Sequence, residues 1–426
     1  MKTTIRNLLF LCLTTCCFMH TKAQNKVIVE DDIPNGIVIV TIDKADEEII
    51  RIINESQLPY FHDPQAPRFL LMDKQGKFAL GIGGYVRATS SYDFGGITNN
   101  IDFIPAFIPN TSIEQSQFQM DASMASIFLK LVGHTDLLGD FVVYTAGNFR
   151  GSGHGFKLRN AYISFRNMTV GYTYGGFMDA SAVPTTIDFQ GPNGATFYRA
   201  TQVAYTYKGI ENFKMGVTIE SPSVEGKATN QLSIGKQRMP DFTLSLQYNW
   251  KNNSHLRLAG VIRSMTYTDS KLNKAKAVDG WGVQASTTFA IGKQWRIFGQ
   301  GTYGKGIAQY MNDLSNLNVD IVSDPNNENR MMALPMLGYF AGLQYNITPK
   351  VFLSSTYSMN RLYSRNGYAN ANPDAYQYGQ YFAANAIWSV TPNMQAGAEY
   401  LRGWRTNFDG STRHANRINL LVQYSF

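Results

Sequence analysis

Apolar residues at every second position recur through this chain, right up to its last residue. From Phe78 the even positions read Phe78, Leu80, Ile82, Gly84, Val86, Ala88, Ser90, Tyr92 and Phe94, while Lys77, Arg87, Thr89, Ser91 and Asp93 take odd ones. A two-residue period puts successive side chains on opposite faces of an extended strand, so the segment predicts a strand with one apolar face. The alternation returns with Phe213, Met215, Val217 and Ile219, with Phe242, Leu244, Leu246, Tyr248 and Trp250, and with Trp281, Val283, Ala285, Thr287 and Phe289. The chain stops on RINLLVQYSF, where Ile418, Leu420, Val422, Tyr424 and Phe426 share one parity. Chain ends fray unless something holds them, so this ending predicts a last strand paired with a neighbour.

The connections alternate too. KNNS (251–254), IGKQ (291–294), ITPK (347–350) and TPN (391–393) are tight-turn sequences, and between them lie long polar loops at 95–116, 222–239, 268–277, 307–334 and 361–375. Short turns at one end and long loops at the other describe an antiparallel up-and-down meander whose ends face different compartments. No stretch after the N-terminus approaches the ~18 apolar residues of a spanning helix, and mean hydropathy is −0.21. A transmembrane barrel has this profile, because lipid-facing and lumen-facing residues alternate. The expected fold is therefore all-β, a transmembrane barrel of about sixteen strands, with the last strand closing against the first to remove both open edges. Tyr248, Trp250, Phe289, Tyr345, Trp388, Tyr424 and Phe426 near the short turns form one expected aromatic girdle; Tyr92, Phe94, Phe149, Tyr267 and Tyr303 form the other.

At the other end, Lys2 and Arg6 precede the apolar stretch from Leu8 to Met19, and small residues at Thr21 and Ala23 precede Gln24, which reads as a secretory signal over 1–23. Lipidation at Cys16 or Cys17 is the lesser alternative, since neither follows a small Gly or Ala. All three cysteines, Cys12, Cys16 and Cys17, lie in that signal, so the mature chain is left without disulfides. Losing Lys2, Arg6 and Lys22 leaves 35 basic against 31 acidic residues, +4 instead of +7, too mild a charge to argue for nucleic acid. Residues 24–67 read as a periplasmic leader in which ADEEIIRIINES suggests a short helix and DPQAP a linker into a barrel spanning 68–426.

The most informative irregular stretch is 168–209, where about twenty residues containing Asp179, Pro184, Asp188 and Pro192 separate the strands ending near Gly175 and resuming at Tyr198. The segments LRNAYISF, TVGYTYGGFMD, TTIDFQGPNG and RATQVAYTY, in this order, resemble the DcaP-like porins, the strong match falling within 157–207. The resemblance implies an outer-membrane, trimeric passive channel of a Gram-negative bacterium that takes up small, often anionic solutes. A terminal Phe426 with Tyr424 before it also resembles the signature read by the barrel assembly machinery. By counting, 177–197 joins the fifth and sixth strands, the connection that folds into the lumen of trimeric porins and narrows it.

Fixed charges on a narrow water-filled passage act as a filter, because the surrounding low dielectric focuses their field. Arg87, Arg257, Arg263, Arg417, Lys77 and Lys214 fall on the inward parity against Asp93, Asp121, Glu220, Asp241 and Glu399, which is nearly balanced. Selectivity must then arise at the narrowest point, where Asp179 and Asp188 on the loop would face a basic wall including Arg159 and Arg199. Equally, those arginines would latch the loop through carboxylate pairs. The mature histidines, His62, His134, His154, His255 and His414, show no metal-ligand spacing, no cofactor motif stands out, and there is no nucleophile elbow. The expected function is diffusion of small hydrophilic solutes or ions, not catalysis. The alternatives are a substrate-selective channel, or a barrel enzyme or adhesin acting through its long loops.

Overall fold

The computed structural model describes residues 38–41, 47–64, 67–73, 77–98, 101–110 and 115–426, so the expected signal peptide lies outside the described residues. The leader contributes β1 (Val38–Thr41), α1 (Glu47–Glu55) and β2 (Phe69–Met72). The wall begins with β3 (Phe78–Phe94), β4 (Gln117–Asp121), β5 (Ser126–Thr135), β6 (Gly139–Asn148), β7 (Lys157–Phe165), β8 (Met168–Tyr174), β9 (Arg199–Ile210) and β10 (Phe213–Glu220). It continues through β11 (Leu232–Ile234), β12 (Asp241–Trp250), β13 (Ser254–Asp269), β14 (Lys274–Ile291) and β15 (Trp295–Lys305). A separate hairpin, β16 (Ile321–Asp324) and β17 (Asn327–Ala333), precedes β18 (Pro335–Thr348), β19 (Val351–Leu362), β20 (Tyr376–Ser389), β21 (Met394–Asn407) and β22 (Thr412–Ser425).

Each wall strand pairs antiparallel with the next, and β22 returns to β3 in a register running from Asn416↔Phe94 to Ser425↔Tyr85. The result is a closed 16-strand barrel. Two short strands complete wall strands instead of adding to the count: β4 continues β5 along β3, and β11 lies along the far end of β13. Closure reaches the last residue, because Phe426 accepts from the Gly84 N–H at 2.9 Å and donates its own to Gly84 O at 3.0 Å. Below that point β2 takes over the same edge of β3, at Ala79 to Ile82, and β1 pairs with β2. The edge a truncated final strand would leave open is thus covered by the leader.

Burial follows the two-residue period with the apolar face outward. Leu244, Leu256, Leu258, Ile262, Val283, Leu420 and Val422 are exposed, whereas Thr243, Arg257, Arg263, Gln284 and Asn419 between them are buried. Such a molecule keeps its apolar band toward lipid and its polar groups inside. Near the short turns the rings of Tyr248 and Trp250 lie tilted at 5.5 Å, and Tyr345 lies tilted at 4.4 Å from Trp295, which joins the expected girdle there. Asparagine closes several of these turns by taking positive φ, as at Asn167 (66°), Asn212 (62°), Asn252 (64°) and Asn253 (55°).

Two sequence expectations need correction here. The stretch 268–277 is not a long loop: β13 and β14 stay paired to Asp269↔Lys274 and only a short turn remains. Tyr267 does not join the outer girdle, because it shares the inward parity of Arg257 and Arg263 and is buried beside Leu232, Met265, Ile321 and Met331.

Candidate functional site in the barrel lumen

Residues 175–198 do not rise away from the rim. They cross the interior and bond to inward-facing side chains on much of the wall. At one end the Asp179 carboxylate accepts from His255 Nε2 at 2.7 Å, Ser286 Oγ at 2.6 Å and the Ser181 amide at 3.2 Å. In the middle Glu399 accepts from the Ile187 and Asp188 amides, both at 2.7 Å, while Arg87 Nη2 donates to Ile187 O at 2.5 Å. At the other end the Gly194 amide donates to Ser358 Oγ at 2.8 Å, and Thr196 Oγ1 to Gln300 at 3.2 Å. The QGPNG sequence is shaped for this path: Gly191 sits at φ +69°, and a side chain on Gly194 would collide with Met359 O and Tyr339 O.

The leader enters from the short-turn end. Helix α1 buries Ile49, Ile52 and Ile53 against Leu70, Met72, Ala79, Phe128, Val132 and Val142, inward-facing residues of β2, β3, β5 and β6. Lys130 Nζ donates to Ser56 O at 3.1 Å and Arg51 Nη2 to Asp140 at 2.7 Å. Residues 57–63 then run inward until they meet the 175–198 segment. Tyr60 O–H donates to Phe189 O at 3.3 Å, Tyr85 O–H to His62 O at 2.8 Å, and Tyr174 O–H to Asp63 Oδ1 at 2.8 Å. The expectation that residues 24–67 stand in the periplasm is therefore corrected for 47–63, which pack on the inner wall because the isoleucine face of α1 has an apolar patch there.

Where leader and loop meet, four arginines gather. Arg87 Nη1 donates to His62 Nδ1 at 2.8 Å. Arg150 binds Asp102 through both terminal nitrogens, at 2.5 and 2.8 Å, and lies 5.1 Å from the Phe189 ring centre. Arg159 stacks on Phe189 from 4.7 Å. Arg199 stacks on Tyr174 at 4.2 Å, donates to its hydroxyl at 2.7 Å and lies 3.8 Å from Asp63. Among the described residues neither Arg87 nor Arg159 makes an ion pair.

The sequence-derived site thus divides. Arg159, Arg199 and Arg87 come together. Asp179 lies apart from them on His255 and Ser286. Asp188, although it borders the crevice beside Arg87 and Arg150, makes no ion pair with them among the described residues and serves as an anchor: it accepts from the Phe103 amide at 2.9 Å, the Gly191 amide at 3.0 Å and Tyr381 O–H at 3.2 Å. Glu220 holds the Gly176 amide at 2.6 Å and Tyr310, and Arg257 donates to Gly176 O. Arg263 clamps Asp241 and Asp320, both at 3.0 Å, and Arg417 binds Asp93 at 2.6 and 2.9 Å. All four point inward as expected, but they fasten loops. Sequence reasoning missed Arg150, Tyr60, His62, Asp63, Tyr174 and Phe189; the density of PYFHD at 59–63 was the one local signal, and it pointed to Tyr60, His62 and Asp63.

Burial sets the ionisation of the acids in these inserted segments. Asp63 is pushed up to about 6, burial outweighing Arg199, the Tyr174 hydroxyl and Arg159. Burial and then Arg87 hold His62 well below its ordinary value, so its imidazole is neutral. For Asp179 burial is also the largest influence, but His255, Arg257 and Ser286 together keep it below the usual carboxylate range. Asp188 is pushed up to about 7 by burial, Asp102 and Glu399, against the Phe103 amide and Arg417. A raised pKa means the docked loop holds a proton that the free carboxyl would release. That contribution is complete below the ordinary value of ~4 and is lost as pH rises through about 7. Amide protection at Ile187 and Gly191, corrected for the intrinsic exchange rate, is expected to be lower at about pH 8 than at about pH 5; a flat corrected profile would contradict this.

Two cavities lie on the short-turn side of the meeting point. One of about 790 Å³ runs from Ser56, Gln57 and Leu58 to Tyr174, Gln202 and Arg257. The other, about 700 Å³, is bordered by Gln57 and Pro59 and carries Lys208, Lys214 and Arg296 against Glu211. On the long-loop side a crevice of only about 20 Å³ lies among Arg87, Arg150, Asp188 and Phe189. Elsewhere Glu48, His134 and Asp140 approach one another within 4.8 Å, but they are exposed and Arg51 already binds Asp140.

The chain's likeness to known proteins agrees with this architecture. No curated protein matches it in sequence. Among solved structures, the outer membrane channel DcaP of Acinetobacter baumannii superposes with a TM-score of 0.72 at 21% identity, covering 83% of this chain and 99% of that one. The anion-selective porin from Comamonas acidovorans gives 0.52 at 10% identity, covering 82% and 100%. The trimer form of OmpT, an outer membrane protein of Vibrio cholerae, gives 0.51 at 10% identity, covering 82% and 100%. The DcaP outer membrane protein family matches residues 72–426, which take in the whole barrel wall, and the chain belongs to that family of outer-membrane channels.

Proposed function

We propose that the protein is a passive outer-membrane channel for small hydrophilic solutes with a preference for anions, set where the 175–198 segment narrows the lumen. The observation that carries this reading is the arginine cluster, in which, among the described residues, Arg87 and Arg159 make no ion pair and Arg199 pairs with Asp63. Unpaired cations beside a narrow aqueous path lower the energy of an anion there more than in bulk water. The basic lining of the second cavity extends the same sign of charge toward the short-turn exit. Most other inward charges cancel in anchoring pairs, so they add little net field.

The aromatic faces under Arg159 and Arg199 hold the guanidinium planes without neutralising them. Replacing Arg159 by Ala is expected to move the reversal potential in a KCl gradient toward zero, with the folded oligomer intact. An unchanged potential would remove the anion preference from the account. The apolar outer face at Val86, Tyr92, Phe118, Met120, Ile127 and Leu129 supports assembly into trimers, as in the trimer form of the Vibrio cholerae neighbour. A substrate-selective channel is the second reading, favoured by the tight packing at Tyr60, His62 and Asp63; saturating solute flux would distinguish it.

A further inference from the structure

The residues that separate the two sides of the lumen differ greatly in how firmly they are held. The 175–198 segment is pinned by buried bonds from β3, β13, β14, β15, β19, β20 and β21. Residues 56–63 are held by a handful of side-chain bonds and by the three isoleucines of the short helix α1. The Arg51 to Asp140 pair that steadies the helix is exposed, and exposed pairs contribute little. A solute crossing this level meets both elements, and the leader is the easier one to move.

The chemistry at the contact is incompletely satisfied. Asp63 Oδ2, His62 Nε2, Arg87 Nε and Arg199 Nε are all buried without a protein partner. Buried polar atoms normally find one, and four orphans in one place, three of them nitrogens that can donate, mark a site whose groups also serve another partner. Asp63 presents one carboxylate oxygen to Tyr174 O–H and lies beside Arg199, the arrangement by which a guanidinium and a phenol would hold any carboxylate.

We propose that residues 56–63 are a gate inside the lumen, tethered through α1, whose Asp63 carboxylate occupies the place on Arg199 and Tyr174 that a carboxylate-bearing solute takes in transit. The inference rests on the channel reading above and adds to it a competitor carried on the same chain. Between Asp63 and the start of β2 at Phe69 the sequence has only residues 64–68, too short a connection for the gate to leave the barrel mouth. An arriving carboxylate replaces one anion with another on Arg199, which makes the exchange nearly neutral in electrostatic energy.

The test uses the purified full-length protein in planar bilayers, with chloride as carrier and acetate as the carboxylate probe. Ile49→Ser with Ile52→Ser and Ile53→Ser makes the docking face of α1 polar; it is expected to raise mean conductance several-fold and to shorten closed intervals. Asp63→Ala leaves that face intact; it is expected to increase anion preference and to let acetate reduce the chloride current at several-fold lower concentration. Folding is checked for each by the heat-dependent shift in electrophoretic mobility, and Asp63→Ala carries the test where the triple variant fails to fold. Conducting variants indistinguishable from the wild type would overturn the gate and leave the channel reading standing. Silence from every folded variant, wild type included, would overturn the channel reading and the gate with it.

Discussion

Charge reversal at two positions together, Arg159→Glu with Arg199→Glu, is expected to turn an anion-preferring channel into a cation-preferring one. A unit charge about 6 Å from a passing ion contributes roughly 1 to 3 kcal/mol at effective dielectric constants between ~20 and ~60. Each reversal applies that difference twice, so even the lower figure exceeds a modest intrinsic preference. Among the described residues Arg159 makes no ion pair, so its reversal acts mainly on the field and on the Phe189 stack. Arg199→Glu sets a second carboxylate near Asp63, which reinforces the change of sign. Reversal potentials measured in a KCl gradient decide the matter: a shift across zero is expected, and retention of anion preference in the folded double variant would show that the selective charges lie elsewhere.

Arg263→Met is expected to produce the largest loss of stability of any single inward-facing substitution. Arg263 donates to Asp241 and Asp320 at 3.0 Å and to Gly306 O at 2.9 Å, all three charged side chains being almost completely buried. Removing the cation leaves two carboxylates facing each other without water, and breaking a buried pair in this way costs about 3 to 5 kcal/mol. The damage should centre on loops 221–240 and 306–334, because Asp320 also caps the Glu225 and Gln309 amides. Limited proteolysis is expected to cut those loops while the strands stay protected. Adding Asp241→Asn and Asp320→Asn should recover much of the loss, since it removes the stranded charges. Wild-type resistance of Arg263→Met would contradict the clamp.

The barrel was legible because its physics is local. Alternation along β3, β12 and β22 reports which face meets lipid, and the contrast of short turns with long loops reports the up-and-down order. The ending on Phe426 signalled closure because a paired terminus needs a partner, and Gly84 supplies one. Parity also put Arg87, Arg257, Arg263 and Arg417 on the inner face. It could not tell a free charge from an anchored one, because that depends on loops distant in sequence: Asp93 for Arg417, Gly176 for Arg257, Asp320 for Arg263.

The strand and turn patterns likewise gave no hint of where the leader goes. Ile49, Ile52 and Ile53 form a helical stripe that announces some partner, but the partner is assembled from β2, β3, β5 and β6. The loop carboxylates misled for the same reason. Asp179 and Asp188 sit in the segment that crosses the lumen, yet they accept from donors on β13, β14, β20 and the 95–116 loop. What the sequence lacked was the long-range closure that turns a list of inward residues into a site.

The central claim is that this barrel conducts and that its arginine cluster prefers anions. Single-channel recording of the wild-type protein in a planar bilayer, with a KCl gradient across it, tests both at once. The account predicts resolved openings interrupted by closures and a reversal potential on the anion side. Cation preference, or no conductance from protein shown to be folded, would contradict it.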